Sequence, residues 1–374
     1  MEDNRAPMSE LEEKKRQKRL TAVVSVVIAI SILAAIALVN LFLPITYWDG
    51  RYSSLTPRSS GDMRIHFLDV GQGDCAVIEL PDGKNIMIDA GNGKTETTNN
   101  ILRYIHELGI KKFDYLIASH GDLDHVGGMK TVFEETGANT VYLPHQEEFT
   151  RLAAYSEFYN AVTQAEEVAV VYTERYQYIE GEGYVLVFLS PRNEEGMAGR
   201  KQTSNDASAV AWLDYNGTAA LFCGDISSGV ENFLRVEWEL DNRIFDPDDA
   251  DIHVNLDSTE ILKVAHHGSA YSSSAEWLSL LHFQTAVISC GLNNVYGHPA
   301  AEALTRLRQA SPRGEIYRTD ECGYVLVTVH ADGSYKITYQ KQKDAPTADI
   351  AAKELIAAAY VHRKLRYTME GITA

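Results

Sequence analysis

One short stretch constrains this chain more than any other: Ser119-His120-Gly121-Asp122-Leu123-Asp124-His125-Val126-Gly127-Gly128. From His120 to His125 it holds two imidazoles and two carboxylates, directly after the apolar run Tyr115-Leu116-Ile117-Ala118. A short apolar run of that kind reads as a buried strand. Ligand-type side chains gathered where such a strand ends make a metal site, with imidazole nitrogen and carboxylate oxygen suited to a divalent ion such as Zn or Mn. The rival reading is a polar loop in which Asp and Gly only turn the chain. Ligand types packed this densely favour the metal.

The rest of the chain supplies a fold around that stretch. Its 374 residues are 45% hydrophobic, enough for a large core. Strand signals recur at 65–70, 76–80, 85–88, 115–118, 168–172, 184–189, 207–214, 218–222, 261–264, 285–289, 316–318, 324–329 and 335–339. Helical patterns fall at 98–108, 128–135, 274–281 and 300–310. Strands outnumber helices and both are spread throughout, which predicts an α/β fold of sheets with helices layered outside.

The N-terminus reads as an address. Residues 21–43 are uncharged and almost wholly apolar, and Lys14-Lys15-Arg16-Gln17-Lys18-Arg19 stands just before them. That length spans a bilayer as a helix, and the positive-inside rule puts the basic end in the cytoplasm. A cleaved signal peptide is the rival, but the run is long for one and no clear A-x-A site follows. The expected organisation is a cytoplasmic segment 1–20, one transmembrane anchor 21–43, a linker 44–62, an extracellular folded domain 63–340 and a helical tail 341–374. The first 20 residues carry six basic and five acidic groups, so with a net charge of −18 the rest of the chain carries −19. Such a body does not grip nucleic acid through a broad basic surface. An anionic substrate would need a local positive focus, which bound metal supplies. The cysteines Cys75, Cys223, Cys290 and Cys322 form no CxxC and point to neither a zinc ribbon nor a disulfide framework.

Four further segments belong with the opening cluster. Ile88-Asp89-Ala90-Gly91 ends a strand in a carboxylate that fits either a turn or the support of a ligating His. Leu221-Phe222-Cys223-Gly224-Asp225 ends an apolar strand in a carboxylate able to bridge two metals, with Gly permitting close approach. Ile261-Leu262-Lys263-Val264-Ala265-His266-His267-Gly268-Ser269 puts two His directly after a strand. Adjacent side chains leave a strand on opposite sides, so one His is expected to face the site and the other to support it. Ile288 leads into Ser289-Cys290-Gly291-Leu292-Asn293-Asn294-Val295-Tyr296-Gly297-His298-Pro299, which gathers amides, a phenol and an imidazole. Those groups suit an anionic substrate or proton donation, or a simple turn.

The order Asp69-Val70-Gly71-Gln72-Gly73-Asp74, Ile88-Asp89-Ala90-Gly91, His120-x-Asp122-x-Asp124-His125, Asn205-x-x-Ser208, Gly224-Asp225, His266-His267-Gly268-Ser269 and Gly297-His298-Pro299 resembles the metallo-β-lactamase superfamily, and within it the ComEC-type branch. The resemblance covers about residues 63–340. It implies an αββα sandwich with two divalent ions, Zn or Mn, at one edge between the sheets. The family's usual H-x-H-x-D-H carries Asp122 here in place of the second His, and its separate third-motif His is missing, with Asn205 and Asp206 near that place.

Carried over residue by residue, His120 and Asp122 resemble ligands of one ion, and Asp124, His125 and His266 ligands of the other. His266 is preferred over His267 because it comes first after the strand. Asp225 resembles the bridge, and Asp89 a support behind a ligand. Asp124, His267 and His298 are the expected catalytic groups, with His298 or the unligated His protonating the leaving group. Ser269, Asn294, Asn205 and Ser208 are the expected substrate contacts. The resemblance implies a hydroxide between two metals attacking a phosphodiester, DNA among the candidates. The alternatives are hydrolysis of cell-envelope phosphodiesters such as teichoic-acid decorations, and a catalytically weak binding module associated with DNA uptake. Protein partners are unspecified.

Overall fold

The computed structural model describes residues 18–28, 30–31, 58–144, 152–191, 203–241 and 254–340. It divides into two units, Met1–Ser54 and Leu55–Ala374. In the first, residues 18–28, 30 and 31 are helical (α1). The remainder of the expected anchor 21–43, and the tail 341–374, lie outside the described residues. Among the described residues no helix is long and apolar enough to cross a membrane.

The second unit builds two sheets. The first is formed by β1 (Met63–Phe67), β2 (Ala76–Glu79), β3 (Asn85–Ile88), β4 (Phe113–Ile117), β5 (Ala138–Pro144), β6 (Ala169–Thr173), β14 (Val325–Val329) and β15 (Tyr335–Tyr339), in the order β15-β14-β1-β2-β3-β4-β5-β6. The second is formed by β7 (Tyr178–Gly181), β8 (Tyr184–Phe188), β9 (Ala211–Tyr215), β10 (Thr218–Phe222), β11 (Thr259–Lys263), β12 (Thr285–Ile288) and β13 (Glu315–Arg318), in the order β13-β12-β11-β10-β9-β8-β7. Each sheet has a parallel block, β3 to β6 in one and β10 to β13 in the other.

Strand periodicity explains the layering. Along β10, Ala220 and Phe222 face the core between the sheets, where they meet Phe67, Ile78, Ile88 and Val327. Ala219, Leu221 and Cys223 face outward into a second core. That core is closed by Leu234 and Trp238 of α6 (Ser228–Asp241), Trp277 of α7 (Ala275–Leu278) and Leu304 and Leu307 of α8 (Ala301–Ala310). On the first sheet, α2 (Thr95–Glu107) buries Ile101, Tyr104 and Ile105. Strands covered on both faces read as continuous apolar runs, which is why β10 and β11 stand out in the sequence. The structure adds β5, β7, α5 (Ala153–Thr163) and α6, none of which the sequence analysis anticipates. The strand expected at 207–214 begins later, because Asn205–Ala207 forms a 3-10 turn before β9.

Glycines bring two loops into contact at the edge where the parallel strands end. α3 (Leu123–Val126) carries Asp124 and His125, and Gly127 and Gly128 lead from it into α4 (Met129–Thr136). A Cβ on Gly127 would lie 2.4 Å from the Asn92 carbonyl carbon and 2.6 Å from the Gly93 nitrogen. A Cβ on Gly128 would lie 2.3 Å from Ala90 O. This contact lets Ala90 N donate to His125 O at 2.7 Å, which sets the loop after β3 under the histidine. Gly127 has φ −57°, so alanine there carries no left-handed backbone penalty; its Cβ would meet the Asn92–Gly93 backbone and also Leu123 O at 2.5 Å. Gly127→Ala should lower stability by about 1–3 kcal/mol through overpacking, measured by denaturant unfolding. An unchanged midpoint would show that the loops do not need this approach.

Candidate metal centre

The site forms where β3, β4, β10, β11 and β12 end, and both sheets contribute. From the first come Asp89 after β3, and Ser119, His120, Asp122, Asp124 and His125 after β4. From the second come Asp225 after β10, His266 and His267 after β11, and Ser289 after β12.

Three ligand atoms converge, and a fourth, Asp124 Oδ2, lies against one of them. His125 Nε2 lies 3.3 Å from His267 Nε2 and 3.3 Å from Asp225 Oδ2. His267 Nε2 lies 3.4 Å from both Asp225 Oδ2 and Asp124 Oδ2. Ligand bonds of about 2.1 Å in a tetrahedron give edges of about 3.4 Å, so this spacing fits a divalent ion. A wider group adjoins it. His120 Nε2 is 3.9 Å from both Asp122 Oδ2 and Asp225 Oδ2, and His266 Nε2 is 3.7 Å from Asp225 Oδ2. His120 Nε2 and Asp225 Oδ1 are buried with no hydrogen-bond partner among the described residues. Buried polar atoms without partners are costly, and a cation would satisfy both.

Hydrogen bonds behind the imidazoles set their tautomers. His267 Nδ1 lies 2.9 Å from Ser289 O, which can only accept, so the proton is on Nδ1. His125 Nδ1 donates to Asp89 Oδ2 at 2.8 Å. Ser119 Oγ donates to the same Asp89 Oδ2 at 2.6 Å, and so accepts from His120 Nδ1 at 3.0 Å. Asp89, with φ 59°, also accepts from Ser119 N at 2.8 Å. Three imidazoles are thereby left with an Nε2 lone pair directed at the site, which is the form that binds metal.

The electrostatics agree. Burial pushes the Asp225 carboxyl up, but His267 and His125 hold it well below the ordinary carboxylate range. Burial pushes His125 and His267 down, yet Asp225, joined by Asp89 at the first and Asp74 at the second, raises both well above the ordinary imidazole value. His120 is lowered by burial and by His125. The carboxylates thus create a field that demands positive charge, and a divalent cation meets that demand in competition with protons.

Several expectations are corrected. His267, not His266, joins the tight group, while His266 stands outside it with its side chain 29% exposed. Strand alternation fails here because His266 and His267 both adopt left-handed backbone, φ 49° and 53°, and both Nε2 atoms turn toward Asp225. Ser208 is buried rather than presented to substrate; its hydroxyl donates to Asn205 O and accepts from Asp225 N, so it positions the carboxylate. Asn205 acts there through its carbonyl. Ser269 is also buried, its hydroxyl accepting from Tyr271 N at 3.3 Å. The Asn294 amide is spent closing its own loop: Nδ2 donates to Gly291 O and His298 O, and Oδ1 accepts from Tyr296 N and His298 N.

His298 stands beside the site, its ring 5.5 Å from His266 and 6.5 Å from His267. Burial and those two imidazoles bring it down to about 4. The thiols of Cys75, Cys223 and Cys290 are buried and pushed up by that burial, so none is a ready nucleophile. Sequence reasoning missed Asp74 and Lys263, whose side chains lie 2.7 Å apart under the site. Their signal was available: a lysine in the apolar strand Ile261-Leu262-Lys263 stays buried only beside a carboxylate. Asp74 forms a buried group with His125, Asp225 and His267 whose ligand atoms lie within 4.8 Å of one another. It faces the Nδ1 side of both rings, however, and Lys263 occupies one of its oxygens. Asp124 faces the Nε2 side and is the better ligand.

A profile of the metallo-beta-lactamase superfamily matches residues 68–292, and the chain belongs to that superfamily of metal-dependent hydrolases. It is 26% identical over 284 residues to ComE operon protein 3 of Bacillus subtilis, covering 72% of this chain and 33% of that protein. It is 26% identical over 281 residues to competence protein ComA of Neisseria gonorrhoeae, covering 73% and 34%. The chain spans about a third of the length of the curated relatives it matches. Among solved structures it is similar to Igni18, a metallo hydrolase from Ignicoccus hospitalis, at 15% identity and a TM-score of 0.43, covering 74% of this chain and 98% of that one.

The assignment of the pair is testable. His267→Ala should lower Zn and Mn affinity more than His266→Ala, read by chelator competition on the purified chain. The reverse order would overturn it.

Proposed function

We propose that this chain is a metal-dependent phosphodiesterase, tethered to a membrane through the apolar segment 21–43 with its hydrolase domain outside. The observation that carries the activity is the set of Nε2 lone pairs converging with Asp124 and Asp225 at one edge of the sandwich. His125, His267, Asp124 and Asp225 would hold one divalent ion, Zn or Mn. His120, Asp122 and Asp225 would hold a second in the wider group. A bound divalent ion supplies Lewis acidity and stabilises charge on a phosphoryl oxygen.

The chain's own residues do the rest. Ser208, Ser119, Asp89 and Ser289 fix the ligands, so little reorganisation accompanies charge development. His266, beside Asp225 and outside the tight group, delivers a proton to the leaving oxygen; His298, brought down to about 4, is neutral near pH 7 and is not that donor. Tyr271 and Tyr296, 82% and 66% exposed, stand in the loops that bear His266 and His298. Exposed aromatic faces suit unpaired bases, and the names of the competence relatives support a nucleic-acid phosphodiester. The −19 body works against long duplex DNA, which favours single-stranded substrate. The same acidity favours a second reading, hydrolysis of small envelope phosphodiesters.

The test is hydrolysis of bis(p-nitrophenyl) phosphate, single-stranded DNA and glycerol phosphodiesters with added Mn or Zn. Asp225→Ala should lower kcat by about 10²- to 10³-fold with the fold retained by circular dichroism. Cleavage of DNA supports the nuclease reading, and cleavage of the small diesters alone supports the envelope. Metal binding without hydrolysis of any diester would replace both with a binding module.

A further inference from the structure

The segment Asp69-Val70-Gly71-Gln72-Gly73-Asp74 and Lys263 take no part in the ligand set, yet they meet directly beneath it. Lys263 Nζ lies 2.7 Å from Asp74 Oδ2, with side-chain exposures of 5% and 8%. The ammonium also donates to Val264 O at 3.0 Å. Together these contacts fix which way the carboxylate faces. Its other oxygen, Oδ1, is 3.3 Å from His267 Nδ1, and Oδ2 is 4.0 Å from His125 Nδ1. One carboxylate therefore sits on the Nδ1 side of both imidazoles whose Nε2 atoms meet in the tight group.

The backbone around Asp74 is as closely tied. Asp74 N donates to Asp124 O at 3.1 Å, and Gly91 N donates to Asp74 O at 2.8 Å. A Cβ on Gly73 would lie 2.2 Å from Asp124 O, and Gly73 has φ 138°. The turn that delivers Asp74 is thus seated against the loop that carries Asp124.

We infer that Asp74 is a positioning residue for His125 and His267, and that Lys263 is the partner that holds its carboxylate in place. The two Nδ1–H groups are donated to Ser289 O and Asp89 Oδ2, and the Asp74 charge beside them acts through its field, adding to the preference for the tautomer that presents Nε2 and raising the basicity of that nitrogen toward a cation. Neither side chain reaches the substrate. Their effect is on cation affinity, and through it on activity at limiting metal. The inference rests on the metal-centre reading above.

The double variant Asp74→Asn/Lys263→Met is the decisive one, because it removes both buried charges together and leaves neither unpaired. Full-length wild-type and variant chains are stripped of metal and titrated with Zn²⁺ and Mn²⁺ against a chelator of known affinity, with melting curves of the metal-free chains alongside. The expected result is affinity lowered about 10- to 100-fold with the metal-free melting temperature held or raised. At saturating metal, KM for bis(p-nitrophenyl) phosphate stays within twofold of wild type. Lys263→Arg, which keeps the charge, should stay within about threefold of wild-type affinity. A double variant with wild-type affinity would overturn the inference, as would one that melts early while its folded fraction binds normally, since that is a purely structural pair. A wild-type chain that takes up neither metal would overturn the metal-centre reading itself, an outcome distinct from the others.

Discussion

Asp225 is the point on which the site depends. Its Oδ2 lies within 3.9 Å of four imidazole nitrogens, those of His120, His125, His266 and His267. A carboxylate buried that deeply is tolerated only beside compensating charge, so its position dictates what must surround it. Three local devices put it there. Gly224, with φ 51°, turns the chain where a side chain would strike Ser208. Ser208 Oγ accepts the Asp225 N–H at 3.0 Å. Gly224 O accepts the His266 N–H at 2.9 Å, which brings the end of β11 alongside.

The backbone at His266 and His267 shows that this arrangement is sustained against a cost. Left-handed backbone at a non-glycine residue costs about 1–3 kcal/mol, and here two such residues stand in sequence before Gly268, also left-handed at φ 80°. The strain is held by Ser269 N donating to His266 O and Ala300 N donating to Gly268 O, both at 2.8 Å. It turns two neighbouring rings toward one carboxylate, which an extended strand cannot do.

That backbone also marks the limit of what the sequence made legible. Ligand types at strand ends, in their order, sufficed to locate His120, His125 and Asp225 and to anticipate two sheets with outer helices. Which member of the His266/His267 pair joins the ligands depends on φ, and neither residue type advertises left-handed backbone. Ser208, Ser269 and Asn294 looked like substrate contacts because a polar side chain in a loop carries no sign of its partner. Each spends its hydrogen bonds on the protein backbone. Lys263 and Asp74 were visible as an anomaly, a charge inside an apolar strand and a carboxylate after a glycine turn. Pairing them required knowing that β11 ends over that turn. β5 opens on Ala138-Asn139-Thr140 and α5 mixes Ser156, Glu157 and Asn160 among its apolar residues, which left periodicities too weak to be separated from loop.

The four residues of the tight group divide evenly along the seam of the sandwich. Asp124 and His125 hang from one sheet, Asp225 and His267 from the other. Much of the contact between the sheets is apolar, and apolar contact is non-directional and permits sliding, while a few polar links such as Lys263–Asp74 and Thr285–Tyr335 cross it. A cation gripped from both sides would work as a rivet, fixing the register of one sheet on the other at a single edge. A metal centre at this edge would then also be a mechanical fastening between the two layers.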